Sequence, residues 1–185
     1  MPYGEIYCDR CDFQGTTTVL WGSFKYQFED GTSAYIERKL GWCSDCNDIR
    51  PVEVLPEYDS VNDELEKYRR LLDAERSRGI IGSIHRKMSS RARYHFEHLQ
   101  ESERGMANLL RLAATRRSAP KCLHCSSEDV AEIDMPKYGS DPFDWSLDFL
   151  HPGCGGNLRV KDSGGMRISI GNRTMLYSPE GIRLD

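Results

Sequence analysis

Apolar residues recur along this chain with two different periods. From Thr16 to Trp42 the run TTTVLWGSFKYQFEDGTSAYIERKLGW is rich in β-branched and aromatic residues, and Asp30-Gly31 divides it into two strand-like halves. That pattern predicts a β-hairpin, preceded by a short strand over residues 3–7. Beyond Pro56 the period changes. Val61, Leu65, Tyr68, Leu71 and Leu72 fall at helical spacing. They predict a helix capped by Ser60, with Asp63 and Glu64 in its first turn and its end near Arg78. Gly79 and Gly82 then predict a break. A second helical pattern follows through Ile84, Met88, Ala92, Phe96, Leu99, Met106, Leu110 and Ala113. It covers roughly three dozen residues, ~50 Å if continuous, with Gly105 as a point for a kink. Ala119-Pro120 ends it. After Leu158-Arg-Val160 the segment MRISIGNRTMLYS alternates again about Gly171-Asn172, the signal of a tight hairpin.

Cysteine usage changes the picture most. Six of the seven cysteines form three C-x-x-C pairs: Cys8/Cys11, Cys43/Cys46 and Cys122/Cys125. The seventh, Cys154, stands three residues after His151 in HPGC, so there are four two-ligand units of identical spacing. A disulfide framework fits poorly, because the count is odd, no export signal opens the sequence, and a bridge within C-x-x-C is strained and redox-active. A thioredoxin-like site needs a βαβ context that this pattern lacks. A two-residue spacer lets the backbone curl so that both sulfurs face one cation, which explains all four units at once.

The N-terminal arrangement of knuckle, hairpin and knuckle over residues 1–56 resembles the zinc-ribbon family. HPGCGG resembles that family's C-P-x-C-G knuckle with histidine in the first ligand place, Pro152 fixing the turn and the glycines allowing close approach. The resemblance implies two zinc ions per chain, one held by Cys8, Cys11, Cys43 and Cys46, the other by Cys122, Cys125, His151 and Cys154. Sequential pairing of this kind needs only local loop closure. Iron in a rubredoxin-like site and a His151 left outside the ligand set stay open as alternatives. His124 is out of register for ligation and is expected to be exposed. His95 and His98, an i, i+3 pair, are read as solvated or core-edge residues.

The expected fold class is therefore α+β: small zinc-stabilised modules in the order zinc ribbon (1–56), basic helical hairpin (57–120) and zinc ribbon with a β-hairpin (121–185). Charge follows the same division. Residues 57–66 carry five acids and no base, and residues 67–121 carry 14 bases against 5 acids, within a chain of net charge −4 and pI about 5.8. The basic block, which includes Arg76, Arg78, Arg86, Lys87, Arg91, Arg93, Arg104, Arg111, Arg116 and Arg117, can track phosphates or form a solvated helix face. The acidic stretch 126–150 holds Tyr138, Phe143, Trp145 and Phe149, which fit a small core or a contact surface for a basic partner.

No phosphate-loop, dinucleotide-binding, H-E-x-x-H or G-x-S-x-G motif occurs. Every cysteine is engaged as a ligand, and the second metal site turns catalytic only if His151 stays free, with Asp148 or Glu128 as base. The expectation is a non-enzymatic, zinc-binding interaction or regulatory protein that acts through its helical surface on another protein or a second copy. The alternative is a nucleic-acid-binding accessory protein using residues 67–121. Mean hydropathy is −0.62, no apolar run reaches the ~18–20 residues needed to span a bilayer, and a cytoplasmic location with no membrane partner is expected.

Overall fold

The computed structural model describes residues 4–135, 144–162 and 174–184. The strands are β1 (Gly4–Cys8), β2 (Gln14–Thr16), β3 (Ser23–Gln27), β4 (Ser33–Tyr35), β5 (Glu37–Cys43) and β6 (Asp48–Val54). Three helices follow, α1 (Tyr58–Ser77), α2 (Gly79–Met88) and α3 (Ser90–Thr115). The chain then forms β7 (Val130–Ile133), β8 (Asp144–Leu150), β9 (Asn157–Asp162) and β10 (Thr174–Tyr177). These elements make two compact units: a β unit from residues 4–25, 36–54 and the described part of 118–184, and a helical unit from residues 26–35 and 55–117.

In the β unit, each main sheet combines strands from before and after the helices. One has the order β2-β1-β9-β8 and another β6-β5-β7. β1 pairs antiparallel with β9, Ile6 opposite Val160 and Cys8 opposite Leu158. β5 pairs antiparallel with both β6 and β7, so that Cys43 faces Asp48 on one side and Val130 on the other. Period-2 alternation sends Ile6, Leu40, Trp42, Ile49, Ile133, Leu147, Leu158 and Val160 into one apolar core, against which Phe13, Trp145 and Phe149 pack. The core reading thus holds for Trp145 and Phe149. Tyr138, Phe143 and the turn at Gly171-Asn172 lie outside the described residues.

The hairpin signal at Asp30-Gly31 is realised between β3 and β4. Gly31 adopts φ +79°, Phe28 N–H donates to the Thr32 carbonyl at 2.9 Å, and the Asp30 carboxylate accepts from Thr32 N–H at 3.0 Å.

The helical unit departs from the expected two-helix hairpin. It has three helices, with α1 and α3 as its principal pair. Val61, Leu65, Leu72, Leu99 and Leu112 are buried. The break falls at Gly79, φ +58°, and a second break falls at Ser89, whose extended backbone ends α2 and whose hydroxyl accepts from Ala92 N–H at 3.3 Å to start α3. Ser60 is not the N-cap of α1. The helix begins two residues earlier, directly after Pro56-Glu57, and no side chain caps it. Gly105 sits within an unbroken α3.

Candidate metal centre

Four tight turns bring the predicted ligands together, two at each centre. Cys8 ends β1 and Cys11 follows in the turn to β2. His151 and Cys154 occupy the turn between β8 and β9. Because β1 and β9 are antiparallel neighbours, these two turns meet. The result is a group of Cys8, Cys11, His151 and Cys154 whose ligand atoms all lie within 4.8 Å of one another. Cys43 ends β5 and Cys46 follows in the turn to β6. Cys122 bridges to Val52 of β6, and Cys125 follows it. The second group is Cys43, Cys46, Cys122 and Cys125, on the same criterion.

All eight expected ligands are therefore gathered, but the expected pairing is overturned. Each group takes one knuckle from before residue 57 and one from after residue 121. The strand pairs β1–β9 and β5–β7 decide this, since they place N- and C-terminal knuckles side by side. His124 is exposed, as expected, and offers only its backbone N–H, which points at the Cys122 sulfur. His95 and His98 are both exposed on α3, and among the described residues no further ligand joins them. Glu128 pairs with Lys121 at 3.7 Å, Asp148 bonds Ser146 at 3.5 Å, and neither belongs to a ligand group.

The spacings suit a tetrahedral cation. In the first group Cys8 Sγ lies 3.3 Å from Cys154 Sγ, and His151 Nδ1 lies 3.3 Å from both Cys11 Sγ and Cys154 Sγ. In the second, Cys43 and Cys125 sulfurs are 3.5 Å apart and Cys46 and Cys122 sulfurs 4.0 Å apart. Zinc–sulfur bonds of ~2.3 Å at tetrahedral angles put sulfurs ~3.8 Å apart, whereas a disulfide needs ~2.05 Å.

The knuckles share further detail. Cys8, Cys122 and Cys154 each accept a backbone N–H from the residue two positions on, at 3.4 Å in every case. Left-handed residues follow the second ligand in three of the four turns: Asn47 (φ 48°), Ser126 (φ 65°) and Gly155 (φ 67°). Such N–H contacts favour the charged thiolate that a metal requires.

Each group is also seated electrostatically. Burial pushes the Cys122 thiol up, and burial with crowding by Cys125 and Cys43 pushes Cys46 up to about 11. The Cys125 thiol is instead lowered, by the Ser127 backbone hydrogen bond and by its cysteine neighbours, so the four share an uneven preference that a divalent cation would shift towards thiolate throughout. The Arg50 guanidinium, paired with Asp48 at 2.9 Å, lies beside Cys46 and favours its thiolate. Its buried Nε has no hydrogen-bond partner among the described residues.

Around the first group, His151 is 8 % exposed and packed between the rings of Phe13 at 4.8 Å and Trp42 at 5.0 Å. Asp9 ties its knuckle to the opposite one by accepting from Asn157 N–H at 2.8 Å and from the Asn157 side chain at 3.2 Å. These bonds hold its carboxyl below the usual range. Gly156 permits the approach: a Cβ there would stand 2.6 Å from Cys8 Sγ.

Phe13, Asp9 and Arg50 were not legible as site residues, whereas the glycines of HPGCGG were expected to let the backbone fold close to the metal, and Gly156 does so. No protein-family model, curated protein or solved structure matches the chain.

Proposed function

We propose that both groups bind structural zinc and that the protein is a non-catalytic interaction or regulatory protein. In this reading the metals lock a ribbon-like β unit built from both ends of the chain, and the helical unit carries the contact surface. Four protein ligands per centre fill a tetrahedron and leave no position for water or substrate, which supports a structural rather than catalytic role. A histidine in one set favours zinc over the all-cysteine iron sites of electron carriers.

The single observation that carries the interaction reading is the outward apolar surface of the helical unit, where Ile80, Ile81 and Met88 are each about four-fifths exposed. Contiguous apolar exposure of this kind marks a contact site. Co-purification with the tagged full-length chain tests it. Exchange of Ile80 and Ile81 for asparagine should remove the co-purifying material while zinc content stays at two per chain. An unchanged set of associated molecules would refute the reading.

The nucleic-acid alternative draws less support. Lys67, Arg69 and Arg76 are engaged by Glu64, Glu66 and Asp73 along α1, Arg78 just past its end pairs with Glu75, and Arg116 is buried. A salt titration of binding to generic DNA or RNA checks it, since phosphate contact predicts a steep decline.

A further inference from the structure

Helix α2 is amphipathic in the inverse sense. At 3.6 residues per turn Ile80, Ile84, Met88 and Ile81 fall within an arc of about 100°. That arc faces outward: the four are 79 %, 51 %, 83 % and 81 % exposed. The opposite side packs inward and is not apolar at all. Gly82 is buried there, a Cβ at that position would stand 2.6 Å from Arg78 Cβ, and Arg86 reaches the Glu75 carbonyl at 3.2 Å with its guanidinium 4.5 Å from the Phe96 ring centroid. A helix that turns a glycine and an arginine inward and three isoleucines outward is built for something outside the unit.

Charge identifies that something. Lys87 and His85 lie at the two edges of the apolar arc, and both are exposed. Of the six Lys/Arg in residues 76–96, Arg76 and Arg78 pair with Asp73 and Glu75 and Arg86 turns inward, which leaves Lys87, Arg91 and Arg93 exposed. Two copies of α2 set face to face would bring these bases together. The arc presents on the order of 500 Å², against the ~800 Å² per partner of a stable protein interface. With its back already packed on α1 and α3, α2 offers a partner only its apolar arc. Isoleucine and methionine gain nothing from phosphates, so nucleic acid is a poor match for the arc.

The geometry points to an anionic lipid surface as the occupant: α2 lies in the plane of the headgroups, with Ile80, Ile81, Ile84 and Met88 inserted and the flanking bases on acidic headgroups. This inference rests on the interaction reading and departs from the expectation that no membrane is met. No helix among the described residues is long and apolar enough to cross a membrane, so the contact proposed is peripheral.

Flotation of the full-length, zinc-loaded chain with phosphatidylcholine vesicles, with and without phosphatidylglycerol, decides it. The expected result is partition at least about tenfold stronger to the anionic vesicles. Ile80→Asn with Ile81→Asn should abolish it, and Lys87→Glu with Arg91→Glu should weaken it, each variant keeping two zinc ions. Absence of wild-type flotation overturns the lipid assignment, as does flotation indifferent to the asparagine pair. A soluble protein partner lost from that same variant also overturns it, yet leaves the interaction reading standing.

Discussion

Replacing Cys43 by serine removes one sulfur from a centre that joins β5 and β6 to the chain after α3. A structural zinc contributes ~10–16 kcal/mol of apparent binding energy, so one ligand in four corresponds to ~2.5–4 kcal/mol. That is a large fraction of the ~5–15 kcal/mol by which a domain is ordinarily stable. The damage should not stop at the hairpin that carries Cys43. Cys122 has no exposure at all, and its turn is held to β6 by Leu123 N–H donating to the Pro51 carbonyl at 2.9 Å and by Glu53 N–H donating to the Lys121 carbonyl at 3.0 Å. β7 hangs on β5 through the register Leu40–Ile133 to Cys43–Val130. In Cys43→Ser, amide hydrogen exchange should therefore accelerate together in residues 37–54 and in residues 121–133, with zinc content falling below two. Loss of protection confined to residues before 57, with 121–133 as slow as in the parent, would refute the crossed architecture.

Other substitutions probe the two centres separately. His151→Cys should keep two zinc ions and His151→Ala should sharply weaken the first, measured by competition with a chromophoric chelator. Gly156→Ala drives a methyl group to within 2.6 Å of Cys8 Sγ, so zinc should leave the first centre well before the second on chelator titration. Glu53, fully buried, accepts from Lys121 N–H at 3.0 Å. Its exchange for alanine should cost about 1–3 kcal/mol in denaturant unfolding, with the second centre the more easily stripped.

The ligands were legible because thiolate chemistry demands a local spacing, and C-x-x-C displays that spacing in one dimension. Their partnership was not. Local pairing looked favourable because Cys11 and Cys43 are separated by 31 residues, whereas Cys46 and Cys122 are separated by 75 and Cys11 and His151 by 139. Loop-closure entropy grows only as the logarithm of length, so each crossed pairing costs merely about 1 kcal/mol more than a local one. The ladders of β1 with β9 and β5 with β7, and the shared core around Trp42 and Leu158, outweigh it. No single strand reveals which other strand it will join.

The same contrast runs through the helices. The break at Gly79 was visible because a glycine in the left-handed region needs no context. The break at Ser89 was missed, although a serine ahead of a polar helical run is a cap signal, because the apolar spacing continues across it. Ile84 and Met88 were expected on the apolar stripe of one long second helix, and in α2 both are exposed while Gly82 and Arg86 turn inward. Periodicity locates an apolar face but does not say whether that face turns to the molecule's own core.

Cadmium-113 substitution with heteronuclear NMR reads the ligand sets directly, through scalar couplings from each metal to the cysteine β-protons and the histidine ring. Two resonances are expected, one coupled to Cys8, Cys11, His151 and Cys154 and the other to Cys43, Cys46, Cys122 and Cys125. A single cadmium coupled to both Cys11 and Cys43 would contradict the account.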